Sequence, residues 1–430
     1  MAYLFGPIRE RLAECGFSAV AHVPFVLWDN LTYAYEPSRF LREWALGDWQ
    51  PHNRTADPVA GTTVQSENSV DTLANALVNF LTYLEVHKRD WRTISYKDLL
   101  DRYQTHMRSG EWSTLRDDNK RRLGLQPSTI NQRTDAAANF LLWASDRGLR
   151  GSFQIPLERS RVPQSAGRIR SSSGNQLGKT RQDPRHLVLP TVETMAEWID
   201  DIHLKHGFSK ALACRTIVET GMRKEEVALF RTWQVPDPDD LDPNMPAAME
   251  IFYGTKGQRQ VGDPDLKGKI RTIRFEHSFL VVLNDYKTLW RKRLAANRKD
   301  GVAKTDIFFL ADDGSPLSTQ SIYRAFTDSD KIPYKGWSPH VGRHAFACML
   351  LLRLIEEDAK RNSALPERMP RGVLMLQTEG LIKTYIRPLL GHVSERTTEL
   401  YLQWVADQIY LPNFRLSYSR YLEGERSWPT

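Results

Sequence analysis

Residues 338–350 read SPHVGRHAFACML. Two histidines flank an arginine, and the residues after them are mostly apolar. Ser338 is placed to cap a helix, and Pro339 suits the first helical position, where a missing N–H is no loss. His340 and Arg343 then fall three residues apart, on one face of the first turn. The unpaired amides and dipole of a helix start add positive potential there. The tip is therefore suited to an anion, and the apolar run behind it anchors the tip in a core. His340 and His344 also have the i, i+4 spacing of zinc ligands on a helix. Their neighbours argue against zinc: Val341 stands where such sites carry glutamate, Arg343 lies inside the pair, and no cysteine ligand is near.

Other segments have the same flavour. TGMRKEEVALFR (220–231) puts Arg223 at the start of an amphipathic helix, with Glu226 three residues on to brace it. AAMEIFYGTK (247–256) and KIRTIRF (269–275) alternate like two strands around a long turn, which places Lys256 at a hairpin tip. LLGHVSERTTELYLQWV (389–405) sets His392 before a helix capped by Ser394, with Tyr401 further along it. GNQLGKT (174–180) and GDPDLKGK (262–269) only approximate phosphate loops. The first has three residues between its glycines instead of four and no preceding strand, and the second is followed by Ile270 instead of Ser or Thr.

The 430 residues suggest two or three domains. Residues 1–65 are rich in aromatics and proline, and their role is not legible. Residues 66–150 read as a small helical domain. Leu73, Leu77, Phe80, Leu81 and Leu84 share one helical face, Ser95 and Asp98 form a capping box, and a third helix runs from about Ser128 to Gly148. Residues 151–187 are rich in Ser, Gly, Pro and Arg and read as a basic, flexible linker. Arg168, Arg170, Lys179 and Arg181 in it are placed to track a phosphate backbone. A larger domain spans 188–411, and residues 412–430 form a tail.

Lys and Arg outnumber Asp and Glu, 59 to 52, a net charge of +7 that favours a polyanionic partner. No long uncharged apolar run suggests a membrane span, and the N-terminus lacks the features of a signal peptide. The 3 cysteines (Cys15, Cys214, Cys348) lie far apart, which argues against a disulfide framework and suits a cytoplasmic setting.

Taken in order, Arg223 in TGMRKEE, Lys256 in the hairpin, His340 and Arg343 in HVGR, His392 in LGH, and Tyr401 nine positions later resemble the tyrosine recombinase, or phage-integrase, family. The match covers about 190–410, and 66–150 is similar to the family's core-binding domain by layout. Within the family the chain most resembles integrases of mobile genetic elements.

The resemblance implies a mainly α fold with a small β-hairpin: a helical core-binding domain and a mixed α/β catalytic domain forming a clamp on duplex DNA. It implies cleavage and rejoining of DNA through a 3′-phosphotyrosine, with Tyr401 as nucleophile and Arg223 and Arg343 holding the phosphate. His340 and His392 would act as hydrogen-bonding and proton-transfer groups, and Lys256 as the acid for the leaving 5′-oxygen. No cofactor, metal or ATP is implied. The expected assembly is a homotetramer on DNA, or one with related recombinases, at the nucleoid. The hairpin turn also holds Lys267 and Lys269, either of which could be the acid instead, and 358–387 is longer than in compact members. A topoisomerase of the same chemistry and a catalytically silent DNA-binding partner are the alternatives.

Overall fold

The computed structural model describes residues 1–51, 65, 67–115, 120–156, 178–180, 189–255, 267–298, 305–361, 371–391 and 400–409. These fall into two compact units, Met1–Pro184 and Arg185–Thr430. The described residues are mainly helical with a β-hairpin in the second unit, as the sequence leads one to expect, and with a second antiparallel strand pair near the N-terminus that it does not.

The first unit begins with strand β1 (Tyr3–Phe5), helix α1 (Arg9–Glu14), strand β2 (Phe25–Leu27), which pairs with β1, and helix α2 (Tyr35–Leu46). Helices α3 (Glu67–Val86), α4 (Tyr96–Asp98), α5 (Thr105–Ser109) and α6 (Pro127–Asp146) come next. The buried face of α3 repeats at helical spacing: Val70, Leu73, Leu77, Phe80, Leu81 and Leu84. Ser95 and Asp98 cap each other's backbone amides, the capping box read from sequence. Helix α6 starts at Pro127, in the first helical position, and the chain turns off through Gly148 at φ +67°.

Residues 1–51 supply much of this core. Ala2, Val26, Phe40, Leu41 and Trp44 pack in one cluster with α3 and α6, and the ring of Phe40 lies 5.6 Å from that of Phe140. Glu43 on α2 accepts from the Trp143 indole at 2.8 Å and pairs with Arg147. A segment with no legible role in the sequence thus builds one wall of the unit.

The second unit contains α7 (Val192–His206), α8 (Phe208–Thr220), α9 (Lys224–Ala228), strands β3 (Ala247–Tyr253) and β4 (Lys267–Phe275), α10 (His277–Asp285), α11 (Arg291–Ala296) and α12 (Thr319–Thr327). It continues with α13 (Pro339–Arg361), α14 (Arg371–Leu381), α15 (Arg387–Leu390) and a helix over 400–409. Strands β3 and β4 pair in register from Ala247 opposite Phe275 to Ile251 opposite Arg271. Trp198, Phe326 and Trp337 meet edge and face beneath the start of α13, with the Trp198 and Phe326 rings 4.5 Å apart. Gly342 lets α13 approach closely: a Cβ there would lie 2.7 Å from Phe326 and 3.0 Å from Val218. Tyr401, Trp404, Val405 and Ile409 pack against Ala347, Cys348, Leu351 and Ile355, so the helix over 400–409 rests on α13. No helix among the described residues is long and apolar enough to cross a membrane.

Candidate active site

Glu226 is the centre of the site. It lies on α9 with its side chain fully buried, and three arginines reach it, one from the start of the same helix and two from β4 and α13. Arg223, at the N-terminal edge of α9, donates its backbone N–H to Glu226 Oε2 at 2.7 Å and its Nη1 to Oε1 at 2.8 Å. Arg271 on β4 donates Nε to Oε1 at 3.2 Å and Nη2 to Oε2. Arg343 on α13 holds Nη1 3.8 Å from Oε2. Burial pushes the Glu226 carboxyl up, but Arg271, Arg343 and Arg223 outweigh it and hold the group below its ordinary value. Burial, then the charges of Arg223 and Arg271, pull the Arg343 guanidinium down to about 9, so it stays charged at neutral pH.

The same arginines also grip one helix end. α15 finishes at Leu390, and Gly391 turns the chain away at φ +60°. A helix C-terminus leaves carbonyls unpaired and carries partial negative charge. Arg271 donates to the Leu389 carbonyl and Arg343 to that of Leu390. Arg223 Nη2 reaches the Leu390 carbonyl at 3.3 Å and that of Gly391 at 3.4 Å. Arg343 also donates to the Gly221 carbonyl. Gly221 sits at φ +65°, and a Cβ there would come within 2.5 Å of Phe346 and 2.7 Å of Leu390, so only glycine fits. The arginines are thus held ready, with the carboxylate on one side and main-chain oxygens on the other.

A second row of polar groups runs along the first turns of α13. His340 Nε2 lies 3.1 Å from His344 Nε2, and His344 Nδ1 lies 2.9 Å from the Tyr401 hydroxyl. His340 is exposed, His344 is buried, and Tyr401 is 1% exposed. Burial, with Cys348 beside it, pushes the Tyr401 phenol well above its usual range, and Arg343 pulls the other way.

Of the residues singled out from sequence, the structure brings Arg223, Glu226 and Arg343 into one cluster, and links His340 to Tyr401 through His344. Lys256, His392, Arg168, Arg170 and Arg181 lie outside the described residues, as does the turn after Lys256. Lys179 does not stand in a free linker: its Nζ pairs with Asp135 at 3.2 Å. Its neighbours are anchored too, since Thr180 bonds twice to Asn131 and the Gly178 carbonyl accepts from Gln104. Lys179 is therefore part of the surface of the first unit, and its charge is partly spent on Asp135.

Sequence reasoning missed Arg271. The signal was present: Ile273 and Phe275 fix the inward phase of β4, and that phase puts Arg271 inside and Ile270 outside. An arginine at an inward position of a strand needs a buried partner, here Glu226. Arg223 and Arg271 also line a cavity of 1460 Å³ with Thr255, Arg274, Arg353 and Arg387. Among the described residues no group of three or more histidine, cysteine or acidic side chains comes together as a metal would require.

No protein-family model and no curated protein matches the chain. Solved structures similar to the chain include site-specific recombinases and integrases. The XerH site-specific recombinase in a post-cleavage complex with its difH substrate is 16% identical, with 82% of this chain and 80% of that one covered and a TM-score of 0.47. The Tn1549 transposon integrase in complex with circular intermediate DNA is 14% identical over 79% and 90%, at 0.45. A lambda integrase dimer bound to a COC′ core site is 10% identical over 85% and 92%, at 0.44.

Proposed function

We propose that the chain is a DNA strand-cleaving and rejoining enzyme of the tyrosine recombinase type, acting in the integration or excision of a mobile element. The observation that carries this reading is the convergence of Arg223 and Arg343, from elements about 120 residues apart, on the Leu390 carbonyl, two residues before His392. The same helix that supplies Arg343 reaches Tyr401 through His344.

The chemistry comes from the groups themselves. Attack on a phosphodiester concentrates negative charge on its non-bridging oxygens. Guanidinium groups offer planar pairs of donors to those oxygens, and donors aimed at developing charge contribute about 3–4 kcal/mol each. Arg223 has its edge in the cavity, 14% exposed, while Arg343 is 2% exposed and holds two carbonyls. In the DNA-bound state the phosphate oxygens would take the places of those carbonyls. Tyr401 would form a bond to phosphorus as the bond to the 5′-oxygen breaks, and Lys256 would protonate that oxygen. The phosphotyrosine keeps the energy of the phosphodiester, so rejoining needs no external energy source. The first unit would supply DNA-backbone contacts, and recombination between two duplexes would use four protomers.

The test is to trap the covalent complex in cells carrying the native DNA. The protein is purified under denaturing conditions, the attached DNA is sequenced, and the modified residue is mapped by mass spectrometry. DNA on Tyr401 at one discrete site, absent in Tyr401→Phe, is the expected result. Adducts scattered over the genome would point to a topoisomerase, and DNA binding with no adduct would overturn the enzymatic reading.

A further inference from the structure

Attack by Tyr401 leaves its proton without a destination. The hydroxyl is buried, so bulk water does not reach it, and an unionised phenol is a weak nucleophile. Two imidazoles stand between it and the surface. His344 lies within hydrogen-bond reach of Tyr401 on one nitrogen and of His340 on the other, at 2.9 and 3.1 Å. The i, i+4 spacing on α13 makes this possible, since it brings the two rings edge to face on one side of the helix with centroids 4.4 Å apart. Only the last member of the row, His340, is exposed.

We propose that His344 is a positioning residue that orients Tyr401 and passes its proton to His340, so that the two histidines relay it from the buried hydroxyl to the exposed start of α13. The inference rests on the reading of Tyr401 as the nucleophile. In the resting state the hydroxyl donates to His344 Nδ1. His344 therefore carries its own proton on Nε2 and donates it to His340 Nε2, and His340 carries its proton on Nδ1. As the Tyr401 oxygen bonds to phosphorus, its proton moves to His344 Nδ1 while the Nε2 proton of His344 moves to His340 Nε2. His340 leaves the step as an imidazolium, His344 ends neutral with its tautomer exchanged, and the bond to the 5′-oxygen breaks. Rejoining runs the row backwards. Cys348 and Arg343 also face Tyr401, but a thiol held protonated by burial and a guanidinium bonded to two carbonyls are poor proton acceptors.

Two measurements on the full chain test this. Long-range proton–nitrogen spectra of histidine-labelled protein read the tautomers without DNA. The expected result is His344 protonated on Nε2 alone, with its Nδ1 signal moved by Tyr401→Phe. His344 protonated on Nδ1 would mean that it donates to the phenol, and would overturn the relay. The second measurement is the rate of adduct formation on the DNA recovered from the trapped complexes. His344→Asn keeps an acceptor near the place of Nδ1 but cannot pass a proton on. Its adduct rate should fall about 100-fold, with DNA binding retained. The wild-type rate should drop as acid protonates His340, and His340→Gln should lose that limb of the pH profile. An unchanged rate in His344→Asn, with wild type still forming the Tyr401 adduct, sinks the relay alone. No adduct from the wild type sinks the nucleophile reading, and the relay with it.

Discussion

Two regions a few residues apart on α13 bury polar groups in opposite ways. Around Arg343 the charges are fixed: one carboxylate, three guanidiniums and a set of helix-end carbonyls satisfy each other. Around His344 the groups are a phenol and two imidazoles, joined end to end by hydrogen bonds whose protons can shift. The first arrangement keeps its charge through the neutral range, since Glu226 is held ionised and Arg343 stays cationic at about 9. The second can change state with one proton. On the proposed mechanism the site must present a constant positive charge to a phosphate and also move a proton, which needs both kinds of burial, and the helix start at 338–344 would serve both.

This contrast is most open to attack at Glu226. Glu226→Ala leaves Arg271 and Arg343 buried without their counter-charge and should cost about 3–5 kcal/mol in a denaturant titration. A loss below about 1 kcal/mol would mean that the carbonyls alone hold the arginines. The acid limb sharpens the point. The carboxyl is depressed in the folded state, so its contribution is complete above the ordinary carboxylate range and is lost as pH falls through the lowered folded value. The stability gap between wild type and Glu226→Gln should therefore close on acidification, and a gap independent of pH would show that ionisation of Glu226 contributes nothing.

Arg271→Met should cost less, about 2 kcal/mol, because Glu226 keeps Arg223 and Arg343. On the proposed mechanism this variant still forms the covalent adduct, whereas Arg343→Met does not; adduct assays on the two variants separate the supporting arginine from the phosphate-binding one. Tyr401→Phe removes one buried hydroxyl and should cost about 1 kcal/mol while abolishing the adduct. Smallest of all, His340→Gln at an exposed position should alter stability by no more than about 0.5 kcal/mol, and its effect should appear only in the rate. A large stability loss in His340→Gln would make the histidine row a packing feature like the arginine cluster.

The parts of this site that were legible in the sequence are those written in local spacing. Arg223 and Glu226 share one turn, His340 and Arg343 another, and the capping box of Ser95 and Asp98 needs four residues only. The alternation of β3 and β4 was readable, but it did not lead to Arg271, because a basic residue in a strand reads first as a surface charge. His344 was visible as half of a metal-like pair. Its bond to Tyr401 joins residues 57 apart, and only the packing of the helix over 400–409 on α13 creates it. Residues 1–51 were opaque for the same reason. Phe40, Leu41, Trp44 and Ala45 do repeat at helical spacing on α2, but the spacing does not say what covers that face, and they become core only when α3 and α6 arrive beside them. Lys179 read as free because its partner, Asp135, lies on another element.

The carbonyls of Leu389, Leu390 and Gly391 bear on how the protein is made. Contacts to them come from Arg223, Arg271 and Arg343, so none of these side chains has its full set of partners until residues 389–391 have been synthesised. A domain whose contacts lie within its own stretch of chain folds as it leaves the ribosome. The first unit satisfies that condition after about 180 residues. Arg223 has Glu226 as a partner three residues on, but its helix-end carbonyls come more than 160 residues later, and loop closures of that span are slow. A nascent chain stalled before Leu389 is therefore a folded first unit trailing an unfinished segment, and the complete arginine cluster is among the last parts of the molecule to exist.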